Sequence, residues 1–103
     1  MTALALKPPK FPHGRVYMTS RLISLVREGK IDALGYLERH LSGDWGDLSR
    51  LERQANEAAL AGGRLFVSRF NISSGLILVI VTNLERRLTK LMLLCEFLDD
   101  IDD

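Results

Sequence analysis

His40, Ser68, Arg69, Arg86 and Thr89 are the side chains whose types could do chemistry together in this sequence. Metal-independent RNA cleavage needs a base for the 2′-hydroxyl, an acid for the leaving oxygen, and cations for the phosphate as charge builds. A ribonuclease reading therefore assigns His40, Arg86 and Thr89 as catalytic, in the manner of a small bacterial toxin. That assignment is an analogy of layout, helices leading into an antiparallel sheet with Arg and Thr on strands and turns. No His/Glu pair has a spacing diagnostic of the reaction, and His40 near a helix end also reads as a capping or surface histidine. The competing expectation is a chain with no catalytic residues.

Binding needs less than catalysis. The loop Gly43-Asp44-Trp45-Gly46 could present an indole and a carboxylate to a protein partner, since loops and Trp are over-used at contacts. It reads equally as a tight link in which Trp45 fills the core and Asp44 bonds backbone amides. Arg69, Arg86, Arg87 and Lys90 complete the expected partner-binding set. With Lys7, Lys10 and Arg15 they could also hold phosphates, which require only cations. Neither a helix-turn-helix pattern nor an aromatic RNA-binding motif accompanies them. No metal site and no cofactor is expected: His13 and His40 lie far apart, Cys95 stands alone in an apolar run, and no phosphate-cradling Gly-rich Lys motif occurs.

Helices must come first and strands second to position these residues. Thr19 or Ser20 can cap a helix running to Arg27, with Gly29 as a left-handed stop. Asp32 caps a second helix to about Leu41, with Leu34, Leu37 and Leu41 at helical spacing. Ser49-Arg50-Leu51-Glu52 has capping-box spacing ahead of a third helix that should bury Leu51, Ala55, Ala58 and Ala59 and end at Gly62-Gly63. Three strands follow, Arg64–Ile72, Leu76–Thr82 and Thr89–Glu96, joined by turns at Asn71–Gly75 and Asn83–Leu88. The expected fold is α+β, with three N-terminal helices packed on a three-stranded antiparallel β-meander. Leu76–Val81 is apolar on both faces, so a helix or a second copy must cover each side. Ile77, Val79 and Val81 are the expected homodimer contact.

Length and charge bound the rest. At 103 residues the chain is one domain, large enough for a core without staples. The expected division is an extended arm over residues 1–15 bearing Pro8, Pro9 and Pro12, a domain over 16–97, and an acidic tail over 98–103. One cysteine makes no internal disulfide, Met1–Lys10 carries no leader pattern, and Leu76–Val81 is far short of the ~20 residues that span a bilayer. The expected location is the cytoplasm. The net charge of +1 hides blocks: a basic first third, an acidic helical stretch, a basic strand region and the acidic end. Such blocks can steer charged partners or simply neutralise one another in the folded state. For the tail, a solvated end and a nucleic-acid mimic are the two readings.

Arg39-His40-Leu41-Ser42-Gly43-Asp44-Trp45-Gly46-Asp47, then Asn56–Leu60, then Gly63-Arg64-Leu65 with Ser68 and Phe70 resemble a group of small bacterial proteins carried mainly on plasmids and integrated mobile elements. Gly75, Leu78–Thr82, Glu85-Arg86 and Thr89 continue the likeness, which covers about Val16–Glu96. Asn83, Arg87 and Cys95 depart from it, where an acidic, a small polar and a proline residue are usual; Ile77 and Val79 also replace commonly polar or aromatic positions. The resemblance implies an accessory protein of a mobile element; the role expected of such a protein is to inhibit or modulate a host defence or replication complex. It implies no reaction. The expected partner is a protein of the host or of the element, or a second copy, rather than a membrane.

Overall fold

A computed structural model describes residues 9–62, 64–73, 75–83 and 85–101. Lys7 of the expected arm, the Gly63 stop, the Ser74 turn position, and Asp102 and Asp103 of the expected tail lie outside the described residues. The elements run β1 (Arg15–Met18), α1 (Ser20–Arg27), α2 (Ala33–Leu41), α3 (Arg50–Gly62), β2 (Phe66–Ser73), β3 (Leu76–Thr82), β4 (Leu88–Leu93) and α4 (Leu94–Ile101).

Local chemistry starts the helices where the sequence says. The Thr19 hydroxyl accepts from the Leu22 amide and the Asp32 carboxylate from that of Gly35, meeting amides that a helix start leaves without partners. Ser49 and Glu52 complete a reciprocal box, the Glu52 amide donating to Ser49 Oγ at 3.2 Å and the Ser49 amide to Glu52 Oε1 at 2.9 Å.

The sheet differs from the expected three-stranded antiparallel meander. It has four strands in the order β1-β4-β3-β2, with β1 parallel to β4 and the other pairs antiparallel. Two misreadings produce the difference. Arg15–Met18, which spans the expected end of the arm at residue 15 and carries no expected element before the first helix, is only four residues long and mostly exposed, so it lacks the apolar alternation that marks a strand. The run Thr89–Glu96, read as one strand, changes period at Leu94. Leu94, Phe97 and Leu98 sit three and four apart, and Glu96 Oε1 accepts the Leu93 amide at 3.0 Å, which starts a fourth helix.

That helix answers what covers β3. Leu78 and Ile80 face one side, in a cluster with Leu22, Ile31, Ala33, Phe70, Leu91 and Leu93. Val79 and its register partner Met92 face the other side and are buried there, at 1% and 3% exposure, by α4. Ile77 and Val81 line grooves of about 310 and 180 Å³ beside Leu94 and Leu98 and beside Phe97 respectively. The face expected to make a homodimer contact through Ile77, Val79 and Val81 is therefore occupied by the chain's own helix.

A second cluster closes the far end. Phe11, from the stretch read as an arm, packs with Trp45, Leu48, Ala59 and Phe66. Trp45 stacks on Phe66 at 5.3 Å and 13°, and its indole donates to Glu57 Oε2 at 2.7 Å. α3 buries only Asn56 and Ala59 among its described side chains, while Leu51, Ala55 and Ala58 face solvent, against expectation. Gly46 lets the 44–47 loop lie against β2. Its φ is +76°, and a Cβ there would stand 2.3 Å from the Arg69 carbonyl oxygen and 2.7 Å from the Phe70 ring. Strain and collision both oppose any side chain at this position. Gly46→Ala should lower the urea midpoint by the equivalent of about 2 kcal/mol or more, whereas Gly62→Ala, with open space around it, should leave the midpoint unchanged or raised.

Candidate functional site

The helix spacing of α2 places His40 on its inner side at the last turn, over the inner face of the sheet. There Ser68 of β2, Thr82 of β3 and Thr89 of β4 converge on it, and all four residues are fully buried. Strand alternation explains the convergence. Ser68 follows Phe66 and precedes Phe70 on the inward register of β2, and Thr82 pairs directly with Thr89.

The hydrogen bonds form one chain. Ser68 Oγ meets His40 Nδ1 at 2.5 Å, and His40 Nε2 meets Thr82 Oγ1 at 2.9 Å. Thr82 Oγ1 meets Thr89 Oγ1 at 2.8 Å, and Thr89 Oγ1 donates to the His13 carbonyl at 2.8 Å. Counting protons fixes its direction. A hydroxyl has one proton, and a carbonyl can only accept. Thr89 therefore spends its proton on His13, so Thr82 donates to Thr89, and His40 Nε2–H must donate to Thr82. A neutral imidazole then leaves Nδ1 as an acceptor, filled by the Ser68 hydroxyl. The tautomer follows from the last carbonyl in the chain.

Burial also keeps the ring neutral, holding the His40 pKa at about 3. Phe11 and Trp45 stand edge-on to the imidazole at 5.4 and 5.7 Å. Every buried side-chain polar atom among the described residues has a partner. A serine donating to a histidine is the arrangement of an activated nucleophile. Here it is sealed at zero exposure, so no substrate atom can reach Ser68 or His40 in this conformation.

The other candidate residues are dispersed. Thr89 joins His40 through Thr82, which the sequence reading missed although its position at the end of an inward register could have signalled it. Arg86 lies elsewhere. Its guanidinium sits 3.9 Å over the Phe66 ring and donates to the carbonyls of Arg64, Asn83 and Ala59 at 2.6 to 3.0 Å. It holds the end of α3 to the β3–β4 turn. Trp45 is 4% exposed and offers no indole to a partner. Asp44 pairs with Arg39 at 2.7 Å and accepts the Gly46 amide; Arg39 foremost holds its carboxyl below the usual carboxylate range. Arg69 donates to the Asp47 carbonyl at 2.9 Å and lies 3.8 Å from Glu52. Lys90 is half-buried on the α4 side of β4, between Val81 and Tyr17 in register.

Arg87 does acquire neighbours. The Arg15 amide donates to the Arg87 carbonyl at 2.9 Å, and Arg86 reaches the Arg64 carbonyl, so four arginines gather at one end of the sheet. Arg15, Arg64 and Arg87 are exposed there without a side-chain partner among the described residues. No three His, Cys, Asp or Glu side chains group as metal ligands among the described residues, and none of their helices is long and apolar enough to cross a membrane. No family model, curated protein or solved structure matches the chain.

The neutral, buried histidine has a consequence for acid stability. The unfolded chain takes up a proton at His40 near pH 6.5, while the folded chain refuses it until about pH 3. Acid therefore favours the unfolded state, and the contribution is whole above pH 6.5 and lost as the pH falls toward 3. Between pH 6.5 and 4.5 the unfolding free energy should fall by about 1.4 kcal/mol per pH unit. His40→Gln should start less stable at pH 7.5 and show a flatter profile through that window. Urea titrations at stepped pH check both, and parallel profiles for the two proteins would contradict the assignment.

Proposed function

We infer that the chain is a non-enzymatic interaction protein that acts by binding another protein. The sealing of the His40 chain carries this reading. The side chains suited to proton transfer are locked into one satisfied network, and the cation a ribonuclease would need, Arg86, is committed to backbone carbonyls. The exposed surface is better suited to contact than to chemistry. Leu51 and Leu34 stand 77% and 69% exposed, and the outward side of α3 around Leu51, Gln54, Ala55 and Ala58 carries no charge. A surface helix ordinarily turns its charged side to water. With the resemblance to mobile-element proteins, this supports a cytoplasmic accessory role, in which binding inhibits or modulates a host defence or replication complex.

Purified protein should leave RNA intact, and expression should not degrade cellular RNA. A photo-crosslinking residue at Leu51, on the uncharged side of α3, should form an adduct with a host or element protein, and Ala58→Asp on the same side should abolish it. RNA cleavage, or adduct formation unaffected by Ala58→Asp, would overturn the reading.

A nucleic-acid-binding reading is favoured by one observation, the convergence of Arg15, Arg64 and Arg87 as exposed cations with no side-chain partner among the described residues. It predicts binding to a single-stranded oligonucleotide whose log K falls with log salt by about 0.7 per cation engaged. Replacing all three arginines with alanine should remove that salt dependence in fluorescence anisotropy; no binding at low salt excludes the reading.

A further inference from the structure

The two edges of the sheet are treated differently. On β2, residues 67, 69 and 71 turn their amides outward, and each amide is filled. The Asn56 side chain takes both the amide and the carbonyl of Val67 at 3.2 and 2.7 Å. Arg69 exchanges bonds with the Trp45 carbonyl and the Asp47 amide, and the Asp47 carboxylate takes the Asn71 amide at 2.8 Å. An edge covered this thoroughly is protected against pairing with another chain.

Among the described residues the β1 edge has no such cover. Arg15 and Thr19 direct their amides to the Arg87 and Leu91 carbonyls of β4. Strand alternation therefore directs the amides and carbonyls of Val16 and Met18 away from β4, to the open side. Val16 and Tyr17 are 41% and 48% exposed.

We propose that β1 pairs antiparallel with β1 of a second copy, about a two-fold axis at Tyr17, making one continuous sheet across a homodimer. The register is self-complementary. Val16 of each copy lies opposite Met18 of the other, so both outward amides and both outward carbonyls on each strand find partners. The apolar Val16 and Met18 side chains meet on one face, and the two Tyr17 rings form a cross-strand pair on the other. Charge agrees as well. Arg15 falls opposite Thr19 of the other copy, whose hydroxyl donates to Glu96 Oε1 at 2.8 Å. Each unpaired guanidinium thereby reaches a carboxylate across the axis, and no like charges face each other directly. The interface is smaller than the standard ~1,600 Å² of a stable complex, so a micromolar dissociation constant is expected. This goes beyond protein binding in general, and it stands or falls independently of any host partner.

Disulfide trapping in a Cys95→Ser background tests it. Residue 17 faces itself across the axis at a separation a disulfide spans, whereas residue 16 faces residue 18, leaving its own copies more than about 7 Å apart. Tyr17→Cys should oxidise to a covalent dimer and Val16→Cys should not. The wild-type chain should self-associate in sedimentation equilibrium from low to high micromolar concentration, and Arg15→Glu should weaken it at least tenfold. A wild-type chain that stays monomeric, or equal cross-linking by both cysteine variants, overturns the proposal. Loss of a host-protein adduct with dimerisation intact would instead count only against the partner-binding reading.

Discussion

An imidazole that must stay neutral holds this fold together. His40 ties helix α2 to β2 and β3 directly and, through Thr82, Thr89 and the His13 carbonyl, to β4 and the segment entering β1. A charged ring in that position would stand among Phe11, Trp45 and apolar sheet residues with no carboxylate beside it. The fold tolerates a polar chain in its interior because each donor finds one acceptor and the sequence of bonds ends on a carbonyl. Partial satisfaction would cost more than an apolar core. The surrounding geometry serves that closure: Gly46 lets the loop approach β2, Trp45 walls the ring, and Arg86 draws α3 to the β3–β4 turn.

What the sequence made legible was local. Thr19, Asp32 and Ser49 with Glu52 named three helix starts through hydrogen bonds spanning three residues, and β3 was bounded by turn residues that its neighbours do not alter. The misread parts depend on distant contacts. β1 is a strand because β4 accepts it, and four residues, three of them exposed, carry no such information. α4 was hidden because Leu91–Phe97 is apolar enough for either period, and only its position over Val79 and Met92 decides between them. Phe11 looked like part of a lead-in because prolines flank it, while its pocket is built from Trp45 and Phe66, far away in sequence.

The candidate site was legible in composition and not in arrangement. His40, Ser68 and Thr89 were singled out as side chains whose types could do chemistry together, and they do meet. Their spacing along the chain could not say that Thr82 would bridge them, nor that water and substrate would be shut out. Arg86 shows the opposite case, a cation expected at a phosphate and used on carbonyls and an aromatic face. The surfaces left over are the uncharged side of α3, the arginine-bearing end of the sheet and the open edge of β1. All three lie outside the sealed chain, which separates what holds the protein together from what it can touch.

The central claim is that His40 is a buried structural donor and acceptor rather than an acid or base. Long-range ¹H–¹⁵N correlation spectra of the imidazole test it most directly. The account predicts a single neutral tautomer, protonated at Nε2 and bare at Nδ1, unchanged from pH 8 to pH 5. A ring that titrates near the free-histidine value of about 6.5, or one protonated at Nδ1, would contradict it.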